Sequence, residues 1–509
     1  MKRRRHQLIL ALGASSLLAL PLAGCAGKEQ PQGSNASASP AASASVSAAP
    51  LSISMQTLIW GTPPDVDKSP FYQELQKRTN TKLKIEFVTS PAFTEKMNLA
   101  LASKTLADIT VVKTLTEANI VNAINQGAFY DLGPFLGDLS KYPNLAKLPA
   151  NLWSDASING KTYGIPNATG VISDALLIRK DWLTELNLQV PTTVDELKNV
   201  LEAFKAKKTG VTPATASTTY PIGTAMSAFG TQNAVIEGDR MVLKELTPGF
   251  RDYLLYMRDL YGKQLLPTEY SVLKAGQDTE MFQQGKAGVL NRPIHEAWTI
   301  QKELKKTAPQ GEVLVLPPLK GPNGYVQNAR DSFYGAFMIP SSVPKDKVEK
   351  LLRYLDQSAS QELNDLRKYG IEGIHHKKNA DGNIAVDSEA LNRDVGGTVY
   401  VLVNSYNKYN EIEKFADMPA DFMKELKQKT DSYFQNAKPD PFTGLVSDTY
   451  AKRSGDLFKD MGTNVTKVII GKSSIEEWDG YVKQLQNDAT VQTMMREYAD
   501  QFKLKNPAK

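Results

Sequence analysis

The sequence predicts an α/β protein in which mostly parallel sheets are flanked by helices. Between residues 51 and 112, segments with the period of a strand alternate with segments that have the period of a helix. Successive parallel strands need a crossover between them, so this alternation favours a parallel sheet. About 460 residues follow the first fifty, and at roughly 100–200 residues per domain they form two or three domains.

The first five elements follow in order along this stretch. We predict strands at 52–60, 82–88 and 109–112 and helices at 70–79 and 92–102. Gly61 and the two prolines after it end the first strand, and Pro70 suits the first turn of a helix. Trp60 therefore stands beyond the carboxyl end of a strand, the edge at which open α/β sheets bind ligands.

The rest of the chain continues this alternation with less regular spacing. We predict strands at 176–179, 313–316 and 335–339. We also predict helices that begin near residues 180 and 193, a helix over about 344–361, and a largely helical tail from about residue 451. Thr193 and Glu196 have the spacing of a capping box, which satisfies free amides at a helix start. After the N-terminal region we find no stretch apolar enough to span a membrane.

The first 24 residues have the form of a secretory signal. Lys2 and three arginines precede an apolar stretch at 8–22, and small residues lead to Cys25, the only cysteine in the chain. This stretch is too short for a membrane span, which needs about 20 apolar residues. Residues 22–25 resemble the lipobox of bacterial lipoproteins, which implies a diacylglycerol on Cys25. The alternative is an ordinary secretory signal with a chance cysteine.

Residues 25–50 form the predicted lipidated tether. Most of its side chains from residue 33 onward are small or polar and bury too little apolar area to fold. Such a linker suits the surface of a Gram-positive cell, with a Gram-negative periplasm as the alternative. Residues 1–24 carry four basic side chains, which leaves +1 of the formal net charge of +5 for the mature chain. Net charge therefore gives no reason to expect nucleic-acid binding.

The residue inventory indicates no catalytic residue. The mature chain contains His295, His375 and His376 and, with Cys25 lipidated, no free thiol, so zinc chemistry lacks its ligands. Neither a Gly-x-Ser-x-Gly elbow nor a Walker phosphate loop occurs. An anchored glycoside hydrolase or polysaccharide lyase remains an alternative, because two carboxylates suffice for hydrolysis and no spacing marks a pair.

Several segments resemble the family-1 extracellular solute-binding proteins of ABC importers, and especially their large lipoprotein branch in Bacillus and Paenibacillus relatives. The segments are NLALASKTLADI at 98–109, GKTYGIP at 160–166, RKDWL at 179–183 with PTT at 191–193, MFQQGKAG at 281–288 and YGIEGIH at 369–375. These segments occur in the order and at the spacing of that family and are distributed over nearly the whole mature chain. Each one is a weak signal, but together they make the resemblance specific.

The resemblance implies a two-lobed, periplasmic-binding-protein-like fold. Each lobe would be a mostly parallel sheet flanked by helices, with a cleft between the lobes. Lobe 1 would contain residues 51–166 and 332–380, and lobe 2 would contain residues 167–331 and 381–509. Hinge closure on the ligand is the expected motion.

The resemblance also implies the function. The protein would capture an oligosaccharide or other carbohydrate, leave it unaltered and deliver it to the permease subunits of an ABC transporter. It would act as a monomer, lipid-anchored on the outer face of the cell membrane, with no nucleic-acid partner. Many members of the branch have a calcium loop, but residues 206–213 contain no carboxylate, so we predict neither metal nor other cofactor. A peptide or other non-sugar solute is the alternative ligand.

Sugars present flat CH faces and many hydroxyls, which aromatic rings and polar side chains match. The predicted ligand-binding residues are Trp60, Asp108, Asn167, Arg292, His295, Glu296, Trp298, Arg330, Asp331 and Tyr334. Each has a structural alternative, such as core packing for Trp60, a turn for Asp108 and a surface ion pair for Arg330 with Asp331. We predict that Trp182 and Trp478 pack in the interior.

Overall fold

The computed structural model describes most of the chain after the tether. The described residues are 49–217, 222–231, 233–274, 276–324, 330–378, 384–396, 398–413, 415, 417–435, 437–438 and 440–506. Residues 49–509 form one compact unit. The predicted signal, Cys25 and the tether up to residue 48 lie outside the described residues. Across the described ranges, no helix has both the length and the hydropathy of a membrane span.

Strands and helices alternate through the unit. The strands are β1 (Leu51–Trp60), β2 (Thr81–Thr89), β3 (Ile109–Val112), β4 (Ser157–Ile158), β5 (Lys161–Thr162), β6 (Ile165–Ile172), β7 (Asp174–Arg179), β8 (Thr212–Thr215), β9 (Ala234–Glu237), β10 (Arg240–Leu243), β11 (Ala287–Pro293), β12 (Val313–Val315), β13 (Arg330–Met338), β14 (His376–Lys378), β15 (Ile384–Val386) and β16 (Thr398–Val399). The helices are α1 (Pro70–Thr79), α2 (Phe93–Ser103), α3 (Ala118–Asn125), α4 (Gly133–Leu136), α5 (Ala150–Asp155), α6 (Lys180–Glu185), α7 (Val194–Lys207), α8 (Gly223–Met226), α9 (Pro248–Gly262), α10 (Gln277–Gln283), α11 (Ala297–Thr307), α12 (Lys345–Ser358), α13 (Gln361–Tyr369), α14 (Ser388–Val395), α15 (Asn410–Glu413), α16 (Ala420–Gln435), α17 (Asp448–Leu457), α18 (Met461–Ile469), α19 (Ile475–Asn487) and α20 (Ala489–Lys505).

The local signals in the sequence predict the early elements to within a residue or two. Strands β1 to β3 and helices α1 and α2 all lie where expected. Pro70 occupies the first turn of α1. Thr193 caps α7, because its hydroxyl accepts a hydrogen bond from the Glu196 amide at 3.1 Å.

The first sheet has the strand order β16-β1-β3-β13-β6, with β2 added beside β1. β1 pairs in parallel with β2 and β3, whereas β13 pairs antiparallel with both β3 and β6. Its core contains residues from β1 to β4, from β6 and β13, from α12 and α13, and the segment 400–403. The sequence predicted residues 381–509 for the second lobe, but Val395 and residues 400–403 pack in this first core. That packing follows from β16, whose residues pair with Ile59 and Trp60 at the end of β1.

The second sheet has the order β12-β7-β11-β8. β11 pairs in parallel with β8, but β7 runs antiparallel to both β11 and β12. The expected two-lobed α/β fold is confirmed, with sheets that are more mixed than the sequence predicts. In the first sheet, β13 lies between β3 and β6 and runs antiparallel to both, and β16 runs antiparallel to β1. In the second sheet, β7 is the antiparallel strand.

Three adjacent stretches connect the two sheets. Ser173 separates β6 of the first sheet from β7 of the second, and β13 pairs along β6. The third stretch, residues 404–410, follows β6 as well, and the Val171 amide donates to the Lys408 carbonyl at 2.9 Å. Gly170 permits this approach, because its φ is +75° and a Cβ there would lie 2.6 Å from the Asn407 carbonyl oxygen.

Candidate ligand-binding site

Three aromatic rings cluster at the carboxyl end of β1. Trp60 lies 5.5 Å from Tyr334 and 5.7 Å from Tyr400 between ring centroids, and the two tyrosines are 5.7 Å apart. β1 delivers Trp60, β13 delivers Tyr334, and Tyr400 follows β16 directly. The Trp60 side chain is 39% exposed. An exposed indole supported by two phenol rings is a platform on which a flat apolar face can stack.

The two phenol groups stay neutral at physiological pH. Burial raises the pKa of Tyr334, and nearby Glu117 raises it further. Burial also raises the pKa of Tyr400, an effect that Tyr334 and Glu411 strengthen and Arg367 opposes. Each hydroxyl therefore remains both a donor and an acceptor of hydrogen bonds.

A cavity of about 540 Å³ adjoins this platform, and we call it the hinge cavity. It shares Tyr334 and Tyr400 with the aromatic cluster, and α13, α14 and residues 404–413 complete its wall. The wall is rich in side-chain amides, which belong to Gln361, Asn364, Asn392, Asn404, Asn407 and Asn410. Amides donate and accept at once, so such a wall suits a ligand with many hydroxyls. Its volume lies within the roughly 300–1,000 Å³ typical of ligand pockets.

Asn404 has an unused acceptor at this cavity. Its amide nitrogen donates to the Ala168 carbonyl at 2.6 Å. Its Oδ1 atom is buried and has no hydrogen-bond partner among the described residues. A buried unpaired acceptor costs free energy, so a ligand hydroxyl that reaches this oxygen would be favoured.

Arg367 faces the hinge cavity from α13 and is half-buried. Its guanidinium donates to Asn364 Oδ1 at 3.1 Å. Burial lowers the pKa of Arg367, although Glu411 and Tyr400 oppose the effect. Asn364 is itself fixed, because its amide nitrogen donates to the carbonyls of Ser358, Ser360 and Val403.

Arg292 is buried and paired in the structure. Its guanidinium donates to Asp278 Oδ1 at 2.6 Å and to the Asn291 carbonyl at 2.8 Å, and it also contacts the Thr279 hydroxyl. The side chains of Arg292 and Asp278 are 5% and 0% exposed. This geometry favours a structural role, in which the pair fixes the end of β11 to α10.

His295 and Glu296 lie in the short turn between β11 and α11. His295 Nε2 is 3.7 Å from Glu411, a residue of the hinge-cavity wall. Glu296 lies 3.8 Å from Arg292. His295 therefore lies next to the hinge cavity, whereas Glu296 lies next to the buried ion pair of Arg292 and Asp278.

Of three other predicted site residues, Asp108 and Trp298 have their contacts outside the aromatic cluster, whereas Asn167 contacts the backbone of Tyr334. Asp108 contacts Ser54 and Lys347 at the amino end of β3. Trp60 lies six positions after Ser54 along β1, a distance of roughly 20 Å in a strand. Asn167 is fully buried. Its side-chain amide donates to the Tyr334 carbonyl at 3.5 Å, and its Oδ1 accepts from the backbone amide of Asn404 at 2.8 Å. Trp298 packs on Phe422, and its indole donates to Asp417.

The remaining predictions concern the start of β13 and the other tryptophans. Arg330 and Asp331 open β13, and their backbones pair with Ile172 and Val171 at the crossing. Their role in binding stays a prediction. Trp182 packs against Phe204 with centroids 5.2 Å apart, and Trp478 packs against Phe250 at 5.8 Å. The predicted interior packing of both indoles is confirmed.

Tyr400, Asn404 and Arg367 are site residues that the sequence does not single out. Arg367 lies two residues before the YGIEGIH segment. The resemblance of that segment to the family therefore points to this part of the chain, but does not show which way the Arg367 side chain faces. Tyr400 and Asn404 lie in a short apolar run that reads as an ordinary buried strand.

A second, larger cavity of about 1,130 Å³ lies within the second lobe, next to Asp174 and Asn291. Lys459, Lys467 and Lys472 stand on one wall. Within the described ranges, no group of three or more His, Cys, Asp or Glu side chains is placed to hold a metal ion.

Two lobes joined by three crossing stretches, with an aromatic platform and a polar cavity beside the crossing, define a two-lobed binding protein. The family model described as bacterial extracellular solute-binding protein matches residues 71–367. This protein therefore belongs to that family. Its members bind a solute without transforming it, so the chain is a binding protein and not an enzyme.

Individual relatives match along nearly the whole chain. The polygalacturonan/rhamnogalacturonan-binding protein YtcQ of Bacillus subtilis is 26% identical, with 97% of each chain covered. The fructooligosaccharide ABC transporter substrate-binding protein FusA of Streptococcus pneumoniae is 23% identical, with 87% of this chain and 88% of the relative covered. An HMO-binding solute-binding protein from Bifidobacterium longum infantis has the same fold, with a TM-score of 0.69, 18% identity, and coverage of 89% of this chain and 99% of the other.

Proposed function

We propose that this protein captures an oligosaccharide between its two lobes and delivers it to an ABC import permease. Binding is non-covalent, and movement of the lobes about the three crossing stretches encloses the ligand. The observation that carries the proposal is the exposed Trp60 ring, supported by Tyr334 and Tyr400, beside the amide-rich hinge cavity. The relatives YtcQ and FusA, which are named for carbohydrate ligands, support it.

We further propose a lipid anchor on Cys25 that holds a monomer at the outer face of the cell membrane. The lipobox-like residues 22–25 and the tether that follows support this location. Each methylene buried in the bilayer strengthens membrane binding by about 0.8 kcal/mol, so two acyl chains anchor a protein far more firmly than one. Replacement of Cys25 by Ser should move the protein from the membrane fraction to the medium.

We propose that lobe 1 is built around the first sheet and lobe 2 around the second. The predicted ranges were 51–166 with 332–380 for lobe 1, and 167–331 with 381–509 for lobe 2. The packing of Val395 and residues 400–403 in the first core supports extension of lobe 1 to about residue 403.

A thermal-shift screen of the full chain against neutral and acidic oligosaccharides tests the proposal. A ligand at 100 times its dissociation constant stabilises the native state by about 2.7 kcal/mol. Trp60→Ala should remove the shift and leave the melting temperature of the free protein nearly unchanged. Phe434→Ala is the matched control, because Phe434 is also 39% exposed but lies on α16. A shift with peptides alone would overturn the sugar assignment.

A further inference from the structure

Arg367 is held in one orientation at the hinge cavity. Leu363 and Leu366 pack α13 into the first core, and Asn364, one turn before Arg367, also faces the cavity. Asn364 Oδ1 accepts the guanidinium hydrogen bond, while its amide hydrogens are used by backbone carbonyls. The guanidinium therefore does not swing freely, and its remaining N–H groups have a fixed direction.

The charge of Arg367 lacks a contacting anion. In the described part of the chain, its hydrogen-bond partner is Asn364, and no carboxylate lies within salt-bridge distance. Glu411 attracts it only from longer range. A guanidinium that is partly removed from water and has no contacting anion loses hydration free energy that no ion pair restores. This arrangement costs stability in the free protein, so it is expected where a ligand supplies the missing charge.

The other charged groups of the cavity wall have contacts of their own. Glu413 contacts Lys427 and Asn407, Glu411 lies 3.7 Å from His295, Asp365 accepts from Gln361 at 2.8 Å, and Lys368 lies over the Tyr369 ring. These acidic groups disfavour a ligand with dense negative charge along its whole length. The wall therefore suits one carboxylate at Arg367, with hydroxyls along the amides.

We propose that Arg367 binds the carboxylate of an acidic sugar, so that the ligand of this site is an oligosaccharide containing a uronate residue. The inference rests on the proposed sugar-binding function and adds the charge of the ligand. A guanidinium pairs with a carboxylate through two parallel hydrogen bonds, which a hydroxyl does not reproduce. Tyr334 and Tyr400 line the same cavity and contact Trp60, so the carboxylate lies next to the stacking platform.

The test compares two probes that differ in charge. The full chain is titrated calorimetrically with a galactose trisaccharide in which a single residue is replaced by galacturonate, and with the neutral galactose trisaccharide of the same linkage. Wild-type protein should bind the acidic probe more tightly, and Arg367→Gln should weaken that binding by about tenfold or more while changing neutral binding less than about threefold. Arg367→Lys should recover part of the loss, because it restores charge without the fork. Arg353→Gln, at an exposed arginine on α12, is the matched control and should change neither affinity.

Each other outcome overturns the inference in a different way. Equal losses for both probes would make Arg367 a structural residue of the hinge. Unchanged acidic binding in Arg367→Gln would place the carboxylate elsewhere. Tight wild-type binding of the neutral probe alone would refute the uronate and leave the sugar-binding function standing. Binding of neither probe, together with no response to any oligosaccharide, would remove the proposed function as well.

Discussion

The buried pair of Arg292 and Asp278 gives the sharpest stability prediction. The pair joins the end of β11 to the first turn of α10, with the Arg292 nitrogen 2.6 Å from Asp278. Ser217 donates to the other Asp278 oxygen at 3.4 Å. Asp278→Asn removes the negative charge and keeps the size of the side chain, so Arg292 would remain buried without its counter-ion.

The expected loss follows from this geometry. Removal of one partner of a buried ion pair costs about 3–5 kcal/mol, because the other charge stays buried. Asparagine can still accept from Arg292, so we expect a loss near the lower end, about 3 kcal/mol. The double variant Asp278→Leu with Arg292→Met removes both charges and should recover most of that loss. Far-ultraviolet circular dichroism in urea, with all variants at equal concentration, measures the change in unfolding free energy.

An exposed pair provides the control for this experiment. Lys306 and Glu303 form a bond on the surface of α11, with side chains 68% and 40% exposed. Glu303→Gln should therefore cost less than about 1 kcal/mol. A loss below about 1 kcal/mol for Asp278→Asn, or a double variant no more stable than the single one, would refute the argument from burial.

Three further predictions concern the fold. Gly170→Ala forces a Cβ against the Asn407 carbonyl at a positive φ and should lower folding stability by about 1–3 kcal/mol. Amide hydrogen exchange in residues 404–408 should become faster, and unchanged exchange would contradict the prediction. Thr193→Ala removes the cap of α7 and should lower stability by about 1 kcal/mol in urea titration, whereas Thr193→Ser should not. Burial would raise the pKa of Asp108, but Lys347 and Ser54 outweigh it and lower that pKa. The contribution of the Asp108 carboxylate to folding stability is therefore present above its unfolded pKa and is lost as the pH falls through its folded pKa. Asp108→Asn should make the free energy of unfolding depend less on pH in the acid range, and an unchanged dependence would contradict this prediction.

Local signals account for the elements that the sequence predicts well. Strand β1 and helix α1 follow from short-range periodicity, the turn at Gly61 and the position of Pro70, all of which lie within a few residues. Trp60 is exposed at a strand end for the same reason. Physical causes that act over a few residues are visible in a single sequence.

The partners of a side chain depend on contacts that the sequence does not show. Arg292 was predicted for the site because it stands near Trp298, but the fold brings Asp278 against it. Tyr400 reaches Trp60 only because β16 pairs with the end of β1, 338 or more positions away along the chain. Asn167 lies at the predicted crossing, yet its direction depends on Asn404, 237 residues later. Sequence periodicity does not carry such pairings.

The amide contacts at the crossing connect its geometry to the ligand charge that we infer. The Asn364 side chain donates a hydrogen bond to the Val403 carbonyl and accepts one from Arg367. Asn404 follows Val403 in the chain, and its backbone amide donates to the Asn167 side chain on β6. A shift of residues 403–404 therefore changes the support of the Arg367 guanidinium. Conversely, a carboxylate bound by Arg367 favours those arrangements of the crossing that keep the guanidinium aligned. Ligand charge and lobe position would thus be coupled through the side chains of Asn167, Asn364 and Arg367.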